Sequence, residues 1–191
     1  MRLSRDFYTR DNVVQIAKEL LGKVLFTKMN AEITSGIITE TEAYAGKKDK
    51  ASHAYEGRRT ERTEIMYLEG GTAYVYLCYG IHHLFNVVTN QKDIPHAILI
   101  RAIKPHDGVE KILKRRKKKN LDMKICSGPG TVSQGLGIKT IYSGETLLGN
   151  KIWIEERGIQ ILERDITKSP RIGVDYAGAD ALLPYRFVAK L

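Results

Sequence analysis

Glu40 and Glu42 lie two residues apart in Thr39-Glu40-Thr41-Glu42-Ala43-Tyr44, preceded by the aliphatic pair Ile37-Ile38. A carboxylate among apolar and aromatic neighbours keeps its proton more readily than one in water, which suits a general base or acid. If Ile37 to Tyr44 is a strand, alternation puts Ile38, Glu40, Glu42 and Tyr44 on one face. The two carboxylates then have Cα atoms roughly 7 Å apart. Paired carboxylates can also hydrolyse glycosides, but two from one strand point the same way rather than across a cleft. One carboxylate working with a water is the simpler design. A solvated acidic face fits the spacing as well, and Ile38 and Tyr44 on the same face weigh against it.

A second chemical feature is Tyr74-Val75-Tyr76-Leu77-Cys78-Tyr79-Gly80. Alternation gathers Tyr74, Tyr76 and Cys78 on one face, and Gly80 permits a tight turn that leaves Tyr79 and Ile81 at an exposed corner. Packing accounts for Tyr74, since tyrosine is a good strand residue. It accounts less well for a ring at a corner. A protruding aromatic can wedge into a base stack, while Tyr44 or Tyr76 stacks an extruded base. Adjacent His82 and His83 point to opposite faces of a strand and lack metal-ligand spacing, so no metal is expected. Asn86 and Arg101 each interrupt an apolar strand, and a buried polar group needs a partner or a ligand. An internal hydrogen bond or a salt bridge to an acidic strand residue such as Glu40 or Glu42 would satisfy either, and fits as well as a ligand does. An amide lining a base pocket could instead discriminate among purines.

These residues sit in a chain of 191 residues with formal net charge +9, of which 42% are hydrophobic and 28% charged. That composition fits one globular domain spanning residues 1–191 and excludes a disordered chain. No apolar run reaches the ~18 residues that cross a bilayer, and the N-terminus lacks the apolar core of a signal peptide. Cys78 and Cys126 are isolated, so a reducing, cytoplasmic setting is expected, nucleoid-associated in a bacterium. From Arg101 to Lys119 there are nine Lys or Arg residues against Asp107 and Glu110. A basic stretch of this kind meets a polyanion or serves solubility alone; its Lys114 to Lys119 portion fits a phosphate contact or a solvated loop.

The elements that must position the candidates can be read in order. Apolar periodicity from Asp11 to Leu21 predicts a helix stopped by Gly22. Strands are predicted over Val24 to Lys28, Glu32 to Tyr44, Thr72 to Tyr79, Leu84 to Thr89, His96 to Ile103, Lys151 to Glu155 and Gln160 to Arg164. Helices are predicted from about Asp107 into the Lys/Arg run and from Thr131 to Leu136, with loops at Ser127 to Gly130 and around Ser169 to Arg171. Consecutive strands with short connections give an α+β class: one domain with a curved, largely antiparallel β-sheet surrounded by helices, and a protruding β-hairpin.

Taken in order, Glu40-Thr41-Glu42-Ala43-Tyr44, His53, Arg58 and Arg62, Tyr74-x-Tyr76-x-x-Tyr79-Gly80, Asn86, Leu99-Ile100-Arg101-Ala102, Ser127-Gly128-Pro129, Pro170-Arg171-Ile172-Gly173-Val174 and the closing Pro184-Tyr185-Arg186-Phe187 resemble the alkyladenine (3-methyladenine) DNA glycosylase family. The ordered set runs from about residue 7 to 188. The resemblance implies a monofunctional, cofactor-free glycosylase, expected to be monomeric, acting on double-stranded DNA that contains alkylated or deaminated purines. By position it implies Glu42 as general base, with Arg101 and the Ile172 carbonyl holding the water. It implies Tyr44, His53 and Tyr76 around the flipped base, and Asn86 as the guard against guanine. Tyr79 would be the inserted side chain with Ile81 beside it, and Arg58, Arg62 and Arg171 would meet DNA. A non-catalytic stacking module, a nucleotide-processing enzyme and a Lys-dependent lyase are the competing readings; the chain has no GxxxxGK[ST] loop for the second.

Overall fold

The computed structural model describes all residues from Met1 to Leu191. Its longest element is the thirteen-residue strand β2, Glu32–Tyr44, which forms a hairpin with β1, Val24–Met29. The two-residue connection, Asn30 and Ala31, has φ of 51° and 64°, the left-handed geometry that matches strand twist in a tight hairpin. On its other side β2 pairs with a strand covering His96–Pro105, which pairs with His82–Thr89, which pairs with Thr72–Cys78. In chain order these three are β3 (Thr72–Cys78), β4 (His82–Thr89) and β5 (His96–Pro105). Strand β6, Ile152–Glu155, extends the sheet beyond β1, and β7, Ile166–Ser169, pairs with β8, Arg186–Ala189. Every pairing is antiparallel.

Curvature comes from β2. Its first half borders β1, while Glu40 to Glu42 border β8, so the sheet divides along this strand and curls. One face carries the main core, where Ile98, Ile100, Ala43 and Ile38 pack with Ile16, Leu20, Ile112 and Val132 from the helical segments. The helices are α1 (Arg5–Tyr8), α2 (Val13–Glu19), α3 (Val109–Arg116) and α4 (Pro129–Leu136). Asn12 caps α2 by accepting the Gln15 N–H, and Gly22, at φ +80°, turns the chain out of the helical stretch. The opposite face, over β3 to β5, is covered by the long connection between β2 and β3, with Met66 and Tyr67 packed on Tyr74. That second face holds the candidate site.

Two details correct the sequence reading. The register between β2 and β5 shifts on both sides of Glu40, an irregularity that turns Ile38 into the main core and leaves Glu40 and Glu42 on the other side. Ile38 therefore does not share a face with Glu42. Residues Gln160 to Arg164 do not form a strand; Ile161 packs on the core without a neighbouring strand, and pairing begins only at Ile166. Strand β8 was not anticipated. Its four residues are too few to carry a period of their own. No helix is long and apolar enough to cross a membrane.

Candidate active site

Glu42 is fully buried, and every feature around it constrains its carboxylate. Oε1 accepts the Ile172 N–H at 2.8 Å. Oε2 accepts the Tyr44 hydroxyl at 2.9 Å and lies 3.4 Å from Arg101 Nη1. Burial pushes the carboxyl above its ordinary value, opposed by the Arg101 charge, the Ile172 amide and the Tyr44 hydroxyl, and assisted by Glu40. Losing water outweighs three favourable partners here, so the group has enhanced proton affinity. Arg101 also donates through Nε to Glu40 at 2.9 Å. The interruption in the apolar β5 pattern is thereby satisfied by both β2 carboxylates.

The three residues that touch this carboxylate, Tyr44, Arg101 and Ile172, line a cavity of about 490 Å³ walled also by His53, Tyr76, Asn86 and the hairpin. Tyr74 and Tyr76 share one face of β3, as alternation requires, while Ala73 and Val75 enter the main core. The His53 ring meets Tyr76 edge-on, centroids 4.8 Å apart, and shares a 2.9 Å hydrogen bond with the Tyr74 hydroxyl. Burial lowers the His53 pKa to about 4, helped by the Arg62 and Arg58 charges, so the ring is neutral near pH 7. Asn86 is buried and donates to the carbonyls of Tyr74 and Leu84 at 3.2 and 3.3 Å. Its donors are committed to the hairpin backbone. The side chain is held rigidly against the cavity.

The β3–β4 hairpin turns through Tyr79 and Gly80, at φ 50° and 72°, with Ile81 N–H donating to the Cys78 carbonyl. Tyr79 is 91% exposed and Ile81 72% exposed, an apolar tip with nothing packed on it. Arg58 and Arg62 are exposed and make no ion pair, whereas neighbouring Arg59 is tied to Glu64 and Asp93. In the basic run Arg115 and Arg116 bond to the Gly135 and Ile125 carbonyls, while Lys114 and Lys117 to Lys119 are exposed without an ion pair. The run is part helix and part turn.

Arg171 is a correction. Its side chain is fully buried, making two contacts with Asp49 at 2.5 and 2.9 Å and donating to the Ala43 and Asp180 carbonyls. The guanidinium also lies over Tyr44, 4.8 Å from the ring centroid. With its charge neutralised inside the protein it cannot reach a phosphate. It anchors the loop whose next residue, Ile172, holds Glu42. The structure adds a contact for Ile172 as well, through its amide rather than its carbonyl.

Comparison with known proteins bears on the whole chain. The family model described as methylpurine-DNA glycosylase matches residues 6–191. This chain belongs to the methylpurine-DNA glycosylase family. Membership makes it a DNA glycosylase, an enzyme of DNA repair. It is 46% identical to a Chlamydia abortus protein over 190 residues, covering 99% of this chain and 98% of that one. It is 42% identical to a Clostridium perfringens protein over 198 residues, covering 100% and 96%. Both relatives carry the name "Putative 3-methyladenine DNA glycosylase".

In this methylpurine-DNA glycosylase family member, several residues at the site had no role assigned from the sequence. Tyr176 lines the cavity and donates its hydroxyl to the Ala51 carbonyl at 3.1 Å, bridging the last loop to the one carrying His53. Asp49 is the buried partner of Arg171. Arg186 of β8 reaches Glu40 from the side opposite Arg101, at 2.6 Å. Tyr176 stands in the segment after Val174 and was legible as an aromatic there. Nothing local in the sequence announces that Asp49 and Arg171 meet.

Proposed function

We propose that the chain extracts alkylated or deaminated purines, of the 3-methyladenine, hypoxanthine and ethenoadenine class, from duplex DNA and hydrolyses their N-glycosidic bond. The buried Glu42, whose carboxyl is raised by burial and whose partners Tyr44, Arg101 and Ile172 line an aromatic cavity, carries this reading. Water is the nucleophile: its oxygen bonds to C1′, its proton passes to Glu42, and the bond to the base breaks, leaving an abasic site. Arg101 and the Ile172 carbonyl help orient that water. The departing base carries the bond electrons, so a cationic alkylpurine leaves readily and a neutral hypoxanthine needs protonation. Positioning and desolvation supply much of the acceleration for the first class.

Tyr79, with Ile81 beside it, enters the space left in the duplex, while Arg58, Arg62 and the free lysines of the basic run meet phosphates. Unstacking costs a few kcal/mol, and stacking of the base between Tyr44, His53 and Tyr76 offsets ~1–3 kcal/mol of it. A neutral His53 offers one nitrogen as donor and one as acceptor to a base edge. Asn86, immobilised by two carbonyls, rejects guanine by clash with its exocyclic amine. No lysine Schiff base takes part, so borohydride traps no covalent adduct.

Incubation with duplexes carrying each of the three lesions, followed by alkaline cleavage of abasic sites, tests the proposal. Strand cleavage at the lesion supports it. Release of none of these bases overturns it.

A further inference from the structure

Glu40 is nearly as buried as Glu42 but belongs to no step of the reaction above. One of its oxygens, Oε1, takes two guanidinium groups, Arg101 Nε at 2.9 Å and Arg186 Nε at 2.6 Å. Arg186 is itself fixed by Nη1 donating to Ser169 Oγ at 3.1 Å, which ties β8 to the end of β7. The Arg101 contact to Glu40 is markedly shorter than its 3.4 Å approach to Glu42. Arg101 is thus shared unequally, and the carboxylate with the better claim is the one that does no chemistry.

We propose that Glu40, gripped by Arg186, is a positioning residue that holds the Arg101 guanidinium partly off Glu42 and so leaves Glu42 free to work on water. An arginine fork engaged fully with a carboxylate is a strong, charge-assisted pair that quenches the carboxylate as a base. A carboxylate with no cation nearby has the opposite fault, because burial keeps it protonated. Sharing Arg101 between Glu40 and Glu42 places the base between these limits. The charged and titratable groups facing Glu42 are Glu40 and Tyr44 from β2, Arg101 from β5, Arg186 opposite it on β8, Tyr76 from β3, and Arg171 beneath Tyr44. Of these only Glu40 contacts both Arg101 and Arg186. The proposal rests on Glu42 being the general base.

The test compares Glu40→Gln, Arg186→Gln and Glu42→Gln with wild type in single-turnover excision of hypoxanthine across pH. In Glu40→Gln, Arg101 swings to Glu42 and a repelling charge is lost, so the acid limb of the rate profile moves down by about one pH unit. The plateau falls about tenfold as the base weakens. In Arg186→Gln, Glu40 draws Arg101 further from Glu42, and the acid limb moves up. A merely structural role predicts no such opposed pair of shifts. An unmoved limb and plateau in folded Glu40→Gln, with Glu42→Gln inactive, overturns the proposal alone. If Glu40→Gln does not fold, an acid limb in Arg186→Gln that stays put or moves down overturns it. Undiminished excision by Glu42→Gln overturns the general-base assignment and this proposal with it.

Discussion

The Ile172 amide donates to Glu42 Oε1 at 2.8 Å, linking a loop near the C-terminus to a strand 130 residues earlier. Neither end of this bond is positioned by its own neighbours alone. Glu42 is set by the β2–β5 and β2–β8 pairings. Ile172 is set by the buried Arg171, whose partners Asp49 and the Ala43 carbonyl fasten the loop to the start of the covering segment.

Removing one partner of this buried pair leaves the other charge uncompensated. Arg171→Ala is expected to cost about 3–5 kcal/mol of stability, read as a lower urea midpoint, and to slow excision by freeing the Ile172 amide. A midpoint equal to wild type contradicts the buried-strut role.

Tyr79 has the reverse profile. With 91% of its surface exposed, Tyr79→Ala is expected to leave thermal stability within about 0.5 kcal/mol of wild type. Excision from duplex DNA falls by an amount corresponding to roughly 1–3 kcal/mol, with a smaller effect on single-stranded substrate. Equal losses on both substrates contradict the wedge.

Burial raises the Glu42 pKa above its unfolded value, so the folded state binds this proton more tightly than the unfolded chain does. The stabilising contribution is full below the unfolded pKa and is lost as pH rises through the folded one. Glu42→Gln escapes that loss. Its melting temperature relative to wild type is expected to climb between acid and neutral pH, and a difference that declines over this range contradicts the sign of the shift.

His53 titrates the other way. Its pKa, lowered from 6.5 to about 4 by burial and then by Arg62 and Arg58, gives stability present above 6.5 and lost as pH falls toward 4. NMR titration of the ring is expected to show a midpoint near pH 4. A midpoint at or above 6.5 contradicts the buried, neutral ring.

Much of this architecture was legible because it is local. Period-two alternation located β2 and β3 and sorted Tyr74 and Tyr76 from Val75, and Gly80 marked the corner that exposes Tyr79. The polar interruption at Arg101 pointed correctly to a partner among the β2 carboxylates. What was illegible depends on contacts distant in sequence or on broken periodicity. The irregularity at Glu40 reversed the side taken by Ile38, and alternation cannot announce its own interruption. Arg171 reads as a surface cation until Asp49 is brought to it across the fold. Arg186 gains meaning only when β8 docks beside Glu40.

The most direct measurement is single-turnover excision of hypoxanthine from a duplex by Glu42→Gln, with duplex binding measured on the same preparation. Binding retained with excision reduced by at least about a hundredfold is the result the general-base role predicts. Excision at the wild-type rate would contradict it.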